Sequence, residues 1–422
     1  MSLVCSALNW SMWCRAVVRF PLGTGSYWLQ YFRTSLATTL GCSASAIWLF
    51  GAARMGLYRL TQSLGLSAQD QVILPAYTCV VVPNALHFAG ANVRYVDIDP
   101  QTLDFDFDAL LAACDEHTKM IVLPANFGMQ GAADQMMSRL DRLRERYPQA
   151  ILVADMAHAL TSAKAGQADL GQQADAAFYS FEFSKCITTG MGGALRINRP
   201  DLQHRYEQFD QQAAPLPAPS ALTQFRQMTT VKTHLLGASG WPRLGRWSQG
   251  ILRRLRLLFA TPAAELAGQM PTGYPSAMSP FGACLGVQQL TDYATTEALR
   301  RQQAGQYVAA LSAVTAIEIP AIGAEDTLLR FPFMLSDQAV ARGWTRPAFM
   351  AHIKARTGIQ LGSWFNHVVH PTGSHGHGYQ EGSCPVGERV ASRMMNLPLG
   401  RHVRLDDARL KQLRAAMDEV SA

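Results

Sequence analysis

Residues 151–198 read ILVADMAHALTSAKAGQADLGQQADAAFYSFEFSKCITTGMGGALRIN, and no other stretch constrains the fold as tightly. Three short apolar runs, 151–154, 174–179 and 194–197, are separated by glycine-rich and polar turns, which is the pattern of buried strands. Asp155 leaves the first run and His158 follows three residues later; Ser180 ends the second and Lys185 comes after it. Gly190, Gly192 and Gly193 lead into the third. Sheet proteins place their chemistry at strand ends. A carboxylate leaving one strand and a lysine after the next can therefore converge on one pocket.

The flanking sequence supplies the rest of an α/β fold. Residues 72–74, 92–98 and 119–124 read as strands, and 80–89 and 133–146 as helices. This alternation predicts a mostly parallel sheet covered by helices on both faces. Residues 46–64 read as a helix, with Leu57, Leu60 and Leu64 at helical spacing. Gly51, Ala52, Ala53 and Arg54 lie at its start, where small residues leave backbone N–H groups free to bind phosphate.

A chain of 422 residues can bury a large core and hold about two domains. Its formal charge of +6 is modest for that length. It makes no case for nucleic acid and is compatible with anionic substrates or surfaces. The eight cysteines are scattered without a C-x-x-C pair, which argues against zinc ribbons and disulfide scaffolds and fits a reducing cytosol. There is no uncharged apolar run long enough to cross a bilayer. The apolar N-terminus lacks a preceding basic region, so it reads as an ordered or membrane-touching segment rather than a secretory leader.

A Schiff-base lysine and a carboxylate for the ring nitrogen are what a pyridoxal 5′-phosphate (PLP) site needs. The order Asp155-Met-Ala-His158, Ser180-Phe181-x-x-x-Lys185, Gly190-x-Gly192-Gly193 is similar to the core motif of the DegT/StrS family. Those are PLP-dependent fold type I enzymes, mostly aminotransferases acting on nucleotide-linked keto sugars. The likeness extends from Gly51 to Asp99, and on to Cys384-Pro385 and Asn396-Leu397-Pro398. It implies that Lys185 carries the cofactor and moves a proton, that Asp155 pairs with the pyridine nitrogen, and that Ser180 and the turn Gly51, Ala52, Ala53, Arg54 meet its phosphate. By the same resemblance Cys79 packs over the ring, and His158 stacks on it or bonds its phenolic oxygen. The amino donor is then an amino acid, glutamate in the family, and the acceptor a keto sugar. The protein is expected in the cytoplasm as a homodimer with shared sites. Alternatives remain open: a family member without transaminase activity, or a membrane-associated enzyme on a lipid-linked substrate.

The departures from the family pattern matter as much. Ala52 and Ala53 lack the hydroxyl of the usual phosphate turn, and Met191 stands where glutamate is common. In Gly273-Tyr274-Pro275-Ser276-Ala277-Met278, Pro275 and Ala277 replace an asparagine that reaches the neighbouring subunit's phosphate, and an arginine. Proline offers neither an N–H nor a polar side chain, so Arg54 is expected to substitute. The resemblance also divides the chain. Residues 1–45 form an N-terminal segment packing on the small domain or a second copy. Residues 46–280 form the large cofactor domain, interrupted at 211–270, and 281–422 a linking helix and small C-terminal domain. Within the interruption, residues 241–259 are basic and bear tryptophans, so they read as a helix over the active site or a contact with an anionic membrane surface. His367, His370, His375 and His377 do not match a helical metal-ligand pair, and no metal is expected.

Overall fold

The structure, a computed structural model, describes residues 7–163, 169–238, 241–259, 261–371 and 377–421. Its frame is a seven-stranded sheet built from β1 (Ile47–Phe50), β2 (Gln71–Pro75), β4 (Asn92–Val96), β5 (Thr118–Pro124), β6 (Ile151–Asp155), β7 (Ala176–Ser180) and β8 (Gly193–Ile197), with β3 (Thr78–Cys79) outside it. The spatial order is β1-β8-β7-β6-β5-β2-β4. β7, β6, β5, β2 and β4 run parallel, and β8 lies antiparallel to both of its neighbours. The central strands are apolar almost throughout because helices cover both faces, leaving no solvent side to alternate with. Apolar residues at alternate positions of β6 accordingly fall into two separate cores, Leu152 and Ala154 in one, Ile151 and Val153 in the other. The sheet and its mostly parallel topology match the α/β expectation.

Residues 47–50, read from sequence as helix, instead form β1. The run Ile47-Trp48-Leu49-Phe50 pairs with β8 from Ile47 opposite Arg196 to Phe50 opposite Gly193. β-branched and aromatic side chains fit that half-buried edge. The helix begins at Ala53 and runs to Leu64, ending at Gly65 in the left-handed region.

The N-terminal helices are capped and packed within the chain. Asn9 caps the helix Trp10–Arg19 by accepting from Met12 N at 2.9 Å, and Thr24 caps Gly25–Leu40. Both pack on the helix Pro280–Leu290 and the main core, and ahead of them Leu8 O lies 2.9 Å from His402 Nε2 of the C-terminal domain. Phe281 meets Trp13 and Phe20 edge-on at 5.7 and 5.4 Å, and Phe32 meets Phe181 at 5.4 Å. Their apolar faces belong to the same core cluster as β6 and β7.

The C-terminal part carries β9 (Ile317–Glu318), β10 (Arg330–Leu335) and β12 (Met394–Pro398) in one antiparallel sheet ordered β12-β10-β9. A separate short strand, β11 (Val369–His370), leaves this domain and pairs in parallel with β3. Asp97 makes a second connection by accepting from Val386 N and Gly387 N at 2.9 and 2.7 Å. It thereby satisfies two free donors at the start of the helix Pro385–Arg393.

Candidate active site

Parallel strands all end on one edge, and that edge carries the site. Asp155 ends β6 opposite Phe178, and Ser180 ends the neighbouring β7 two residues further on. Both line a cavity of about 1150 Å³, together with Ala53, Arg54, Cys79, His158 and Lys185. All the sequence-predicted site residues except Gly51 and Ala52 therefore come together at one place.

The loop bearing Lys185 is fixed at both ends. Phe181 N donates to Gly192 O at 2.8 Å, and Thr189 N returns to Phe181 O at 2.9 Å. Thr188 N donates to the buried Gln289 side chain at 3.0 Å, and Gln289 donates back to Thr188 O at 2.6 Å. Gly190 turns with φ of 84°, a conformation glycine adopts at low cost. A Cβ on Gly193 would lie 2.1 Å from Ala53 N, so only glycine lets β8 approach the start of the helix Ala53–Leu64. The Lys185 ammonium ends 5.3 Å from the centroid of the Trp364 ring.

The electrostatics suit a carboxylate awaiting a cation. Burial pushes the Asp155 carboxyl up to about 6, against the opposing pull of the Ala157 N–H and Lys185. Ala157 N donates to Asp155 Oδ1 at 3.0 Å. A protonated ring nitrogen supplied by a ligand would relieve that desolvation. Burial, then the nearby cations Lys185 and Arg330, holds His158 well below its ordinary value, so its ring is neutral. His158 Nδ1 accepts from Phe127 N at 3.2 Å, which leaves the proton on Nε2 as a donor. The imidazole lies parallel to the Trp364 indole at 5.6 Å, with 2° between the planes.

Trp364 is the main residue that sequence reasoning missed. It is held by Arg330, whose guanidinium lies 3.9 Å from its ring centroid, and by Asn396 Nδ2 donating to its carbonyl at 3.3 Å. The Asn396-Leu397-Pro398 signature thus acts on the site through Trp364. His370 also lines the cavity, and β11 sets it beside Cys79 of β3. Burial raises the Cys79 thiol. His377 lies elsewhere, with Nδ1 2.9 Å from Asn84 Oδ1, and His375 falls outside the described residues. Among the described residues no three His, Cys, Asp or Glu side chains gather around a point where an ion could sit.

The phosphate turn differs in two details. The Gly51 N–H, expected to be free, donates to Ser276 O at 2.7 Å. The Arg54 fork closes on Glu265 through Nε and Nη2, the latter at 2.7 Å from Oε2, and both side chains are buried. Arg54 therefore has Nη1, the second N–H of Nη2 and its backbone N–H left to offer a ligand. The Gly273–Met278 stretch packs against this same turn within the chain, Tyr274 donating to Arg54 O at 3.2 Å.

A roof faces the strand ends. The helices Ala221–Ala238 and Pro242–Arg254 cross where a Cβ on Gly245 would meet Gly237 Cα at 2.6 Å. They bring Arg226, His234, Arg253 and Arg256 to the cavity wall. His234 stacks on Phe183 at 4.4 Å, and burial followed by Arg253 lowers it to about 4, so it is neutral. The sequence showed this segment as basic but not that its arginines face the lysine.

A lysine and a buried carboxylate at adjacent strand ends, under one cavity, define an α/β enzyme of the kind that holds a pyridine-ring cofactor. The buried carboxylate, the neutral imidazole and the open helix N-terminus at Ala53 fit PLP. The chain belongs to the DegT/DnrJ/EryC1/StrS aminotransferase family, whose model matches residues 25–414. It is 30% identical over 174 residues to the dTDP-4-dehydro-2,3,6-trideoxy-D-glucose 4-aminotransferase of Saccharopolyspora spinosa, a match spanning 41% of this chain and 44% of that protein. It is 23% identical to the spore coat polysaccharide biosynthesis protein SpsC of Bacillus subtilis, over 90% of this chain and 86% of that one. The fold is similar to the crystal structure of NtdA from Bacillus subtilis with bound cofactor PMP, with a TM-score of 0.65, 18% identity, and coverage of 93% of this chain and 77% of that one.

Proposed function

We propose that this chain is a PLP-dependent aminotransferase that moves an amino group from an amino acid, glutamate by family resemblance, to a nucleotide-linked keto sugar. Such a product would serve cell-surface polysaccharide or secondary-metabolite synthesis. One observation carries the reading: Lys185 and Asp155 face a single cavity whose opposite wall is cationic.

When bound, PLP supplies an electron-withdrawing cationic ring beside the substrate carbon. Asp155 would hold the proton on the ring nitrogen, and that neighbouring cation would offset the desolvation that raises its carboxyl. Ser180 and the free N–H groups at Ala53 and Arg54 hold the phosphate. His158 donates from Nε2 toward the ring's substituents, and Cys79 borders the ring. Lys185 would hold the cofactor and, once released, its amine would carry a proton to and from the substrate carbon. Trp364, fixed by Arg330 and Asn396, shields the Lys185 amine from water. Arg226, Arg253 and Arg256 bind the acceptor's phosphates by charge-assisted hydrogen bonds. The protein is read as cytoplasmic and homodimeric.

The test is a donor half-reaction. Purified yellow enzyme mixed with L-glutamate should lose its long-wavelength absorbance and release one equivalent of 2-oxoglutarate. A nucleotide-linked keto sugar should then restore the band. If no amino acid bleaches the enzyme, transamination is the wrong reaction.

A further inference from the structure

The roof has an outer face that the reaction does not use. Leu244, Trp247, Ile251 and Leu255 recur at three- and four-residue spacing and are 42, 66, 37 and 60% exposed. At about 100° per residue they fall within an arc of roughly 80°. Leu222 and Phe225 of the neighbouring helix, and Trp241 ahead of this one, are each at least half exposed as well. A soluble helix normally turns such a stripe inward, and contiguous exposed apolar surface of this kind marks a contact.

Charge identifies the contact. Residues 211–264 contain seven lysines and arginines and no aspartate or glutamate. Arg243 and Arg254 sit beside the stripe, about 60–80° from its centre, while Arg253 points about 160° away, toward the cavity. The helix is therefore two-sided, with a catalytic wall within and an apolar stripe edged by cations without. No described helix is long and apolar enough to cross a membrane, so this geometry suits lying in an interface, apolar face down and arginines at headgroup level.

We infer that the stripe Leu244–Trp247–Ile251–Leu255, flanked by Arg243 and Arg254, docks the protein on an anionic lipid bilayer. A second copy of the chain fits the same face poorly. A two-fold contact would set each acid-free basic edge against its own copy, with no carboxylate in the segment to pair with. The inference shares with the proposed function only the placement of the cavity behind this helix.

Vesicle flotation tests it without turnover. The holoenzyme should float with phosphatidylcholine vesicles containing phosphatidylglycerol, float far less with phosphatidylcholine alone, and detach as salt rises. Trp247→Glu should cut partitioning by about tenfold or more, and Arg243→Glu/Arg254→Glu by a similar factor on anionic vesicles only. Both variants should keep the bound-cofactor absorbance and the donor half-reaction in solution, which separates failure of docking from failure of the transaminase reading. Wild-type protein that stays at the bottom of the gradient at low salt overturns the proposal. So does a Trp247→Glu variant that floats like wild type. A Trp247→Glu variant that turns a dimer into a monomer, with no flotation by the parent, assigns the stripe to a second copy instead.

Discussion

The floor and the roof of the cavity are built on opposite plans. The floor is made by strand ends: Asp155 and Ser180 are the last residues of neighbouring parallel strands, and Lys185 sits in a loop tied down by Gln289 and Gly192. Its groups are few and aimed by a sheet buried on both faces. The roof is made by two helices crossing at small residues, with a partly exposed surface and a wall of arginines. Rigid strand ends can set one proton transfer within tenths of an ångström. An arginine-lined roof can grip phosphates on acceptors of different shape. On the proposed reading, chemistry and acceptor choice are held by separate parts of this chain.

Breaking the floor should have the largest effect. Lys185→Ala should abolish both turnover and the yellow absorbance, and borohydride reduction followed by peptide mapping should place the cofactor on Lys185 in the parent. Label on Lys119 would remove Lys185 from the mechanism.

Asp155→Asn should leave the cofactor bound yet lower kcat by orders of magnitude, since a neutral amide cannot hold the ring nitrogen protonated. The same variant has an opposite effect on the apoprotein. The Asp155 carboxyl titrates near 6 when folded against 3.8 when unfolded, so between those values the folded chain binds more protons. Stability therefore falls as pH rises through that window and stays reduced above it. Removing the charge should stabilise apoprotein at pH about 8 by up to about 3 kcal/mol, and hardly at pH about 4. Thermal melts at the two pH values decide this.

The joint between floor and roof comes next. Glu265→Ala would strand the buried Arg54 guanidinium, at a cost of about 3–5 kcal/mol in unfolding experiments. Pairing it with Arg54→Leu should recover much of that loss. If the single variant is neutral, the pair does not hold the roof to the phosphate turn.

Altering the roof alone should matter least and most selectively. Arg253→Ala or Arg226→Ala should raise the acceptor KM by roughly tenfold or more, the worth of one charge-assisted hydrogen bond of about 1.5–3 kcal/mol. The donor half-reaction should be unchanged. A fall in the donor rate would show that roof and floor are not separable.

The same division explains what the sequence revealed. Asp155, Ser180 and Lys185 were legible because each follows an apolar run at a fixed offset, and a parallel sheet brings such offsets to one edge without further information. β1 was misread because Ile47-Trp48-Leu49-Phe50 is too short for its period to separate strand from helix. Trp364, His370 and Arg253 reach the cavity only through tertiary contacts, from segments whose local pattern shows basicity or aromaticity but no direction. Glu265 carried a signal that was not used: it is the first acid after residue 210, and a lone carboxylate closing a basic segment has a buried cation to meet.

The two-residue ladder between β3 and β11 has one more consequence. Thr78 N reaches Val368 O at 2.8 Å and Val80 N reaches His370 O at 2.7 Å, beside Cys79 in the cavity wall. A hinge between the lobes would have to unzip these bonds next to the reacting atoms. The lobes are thus stitched together at the cavity wall itself, and the arginine-bearing helices, whose described residues carry no such ladder to β3, are the part of that wall through which we propose that substrates pass.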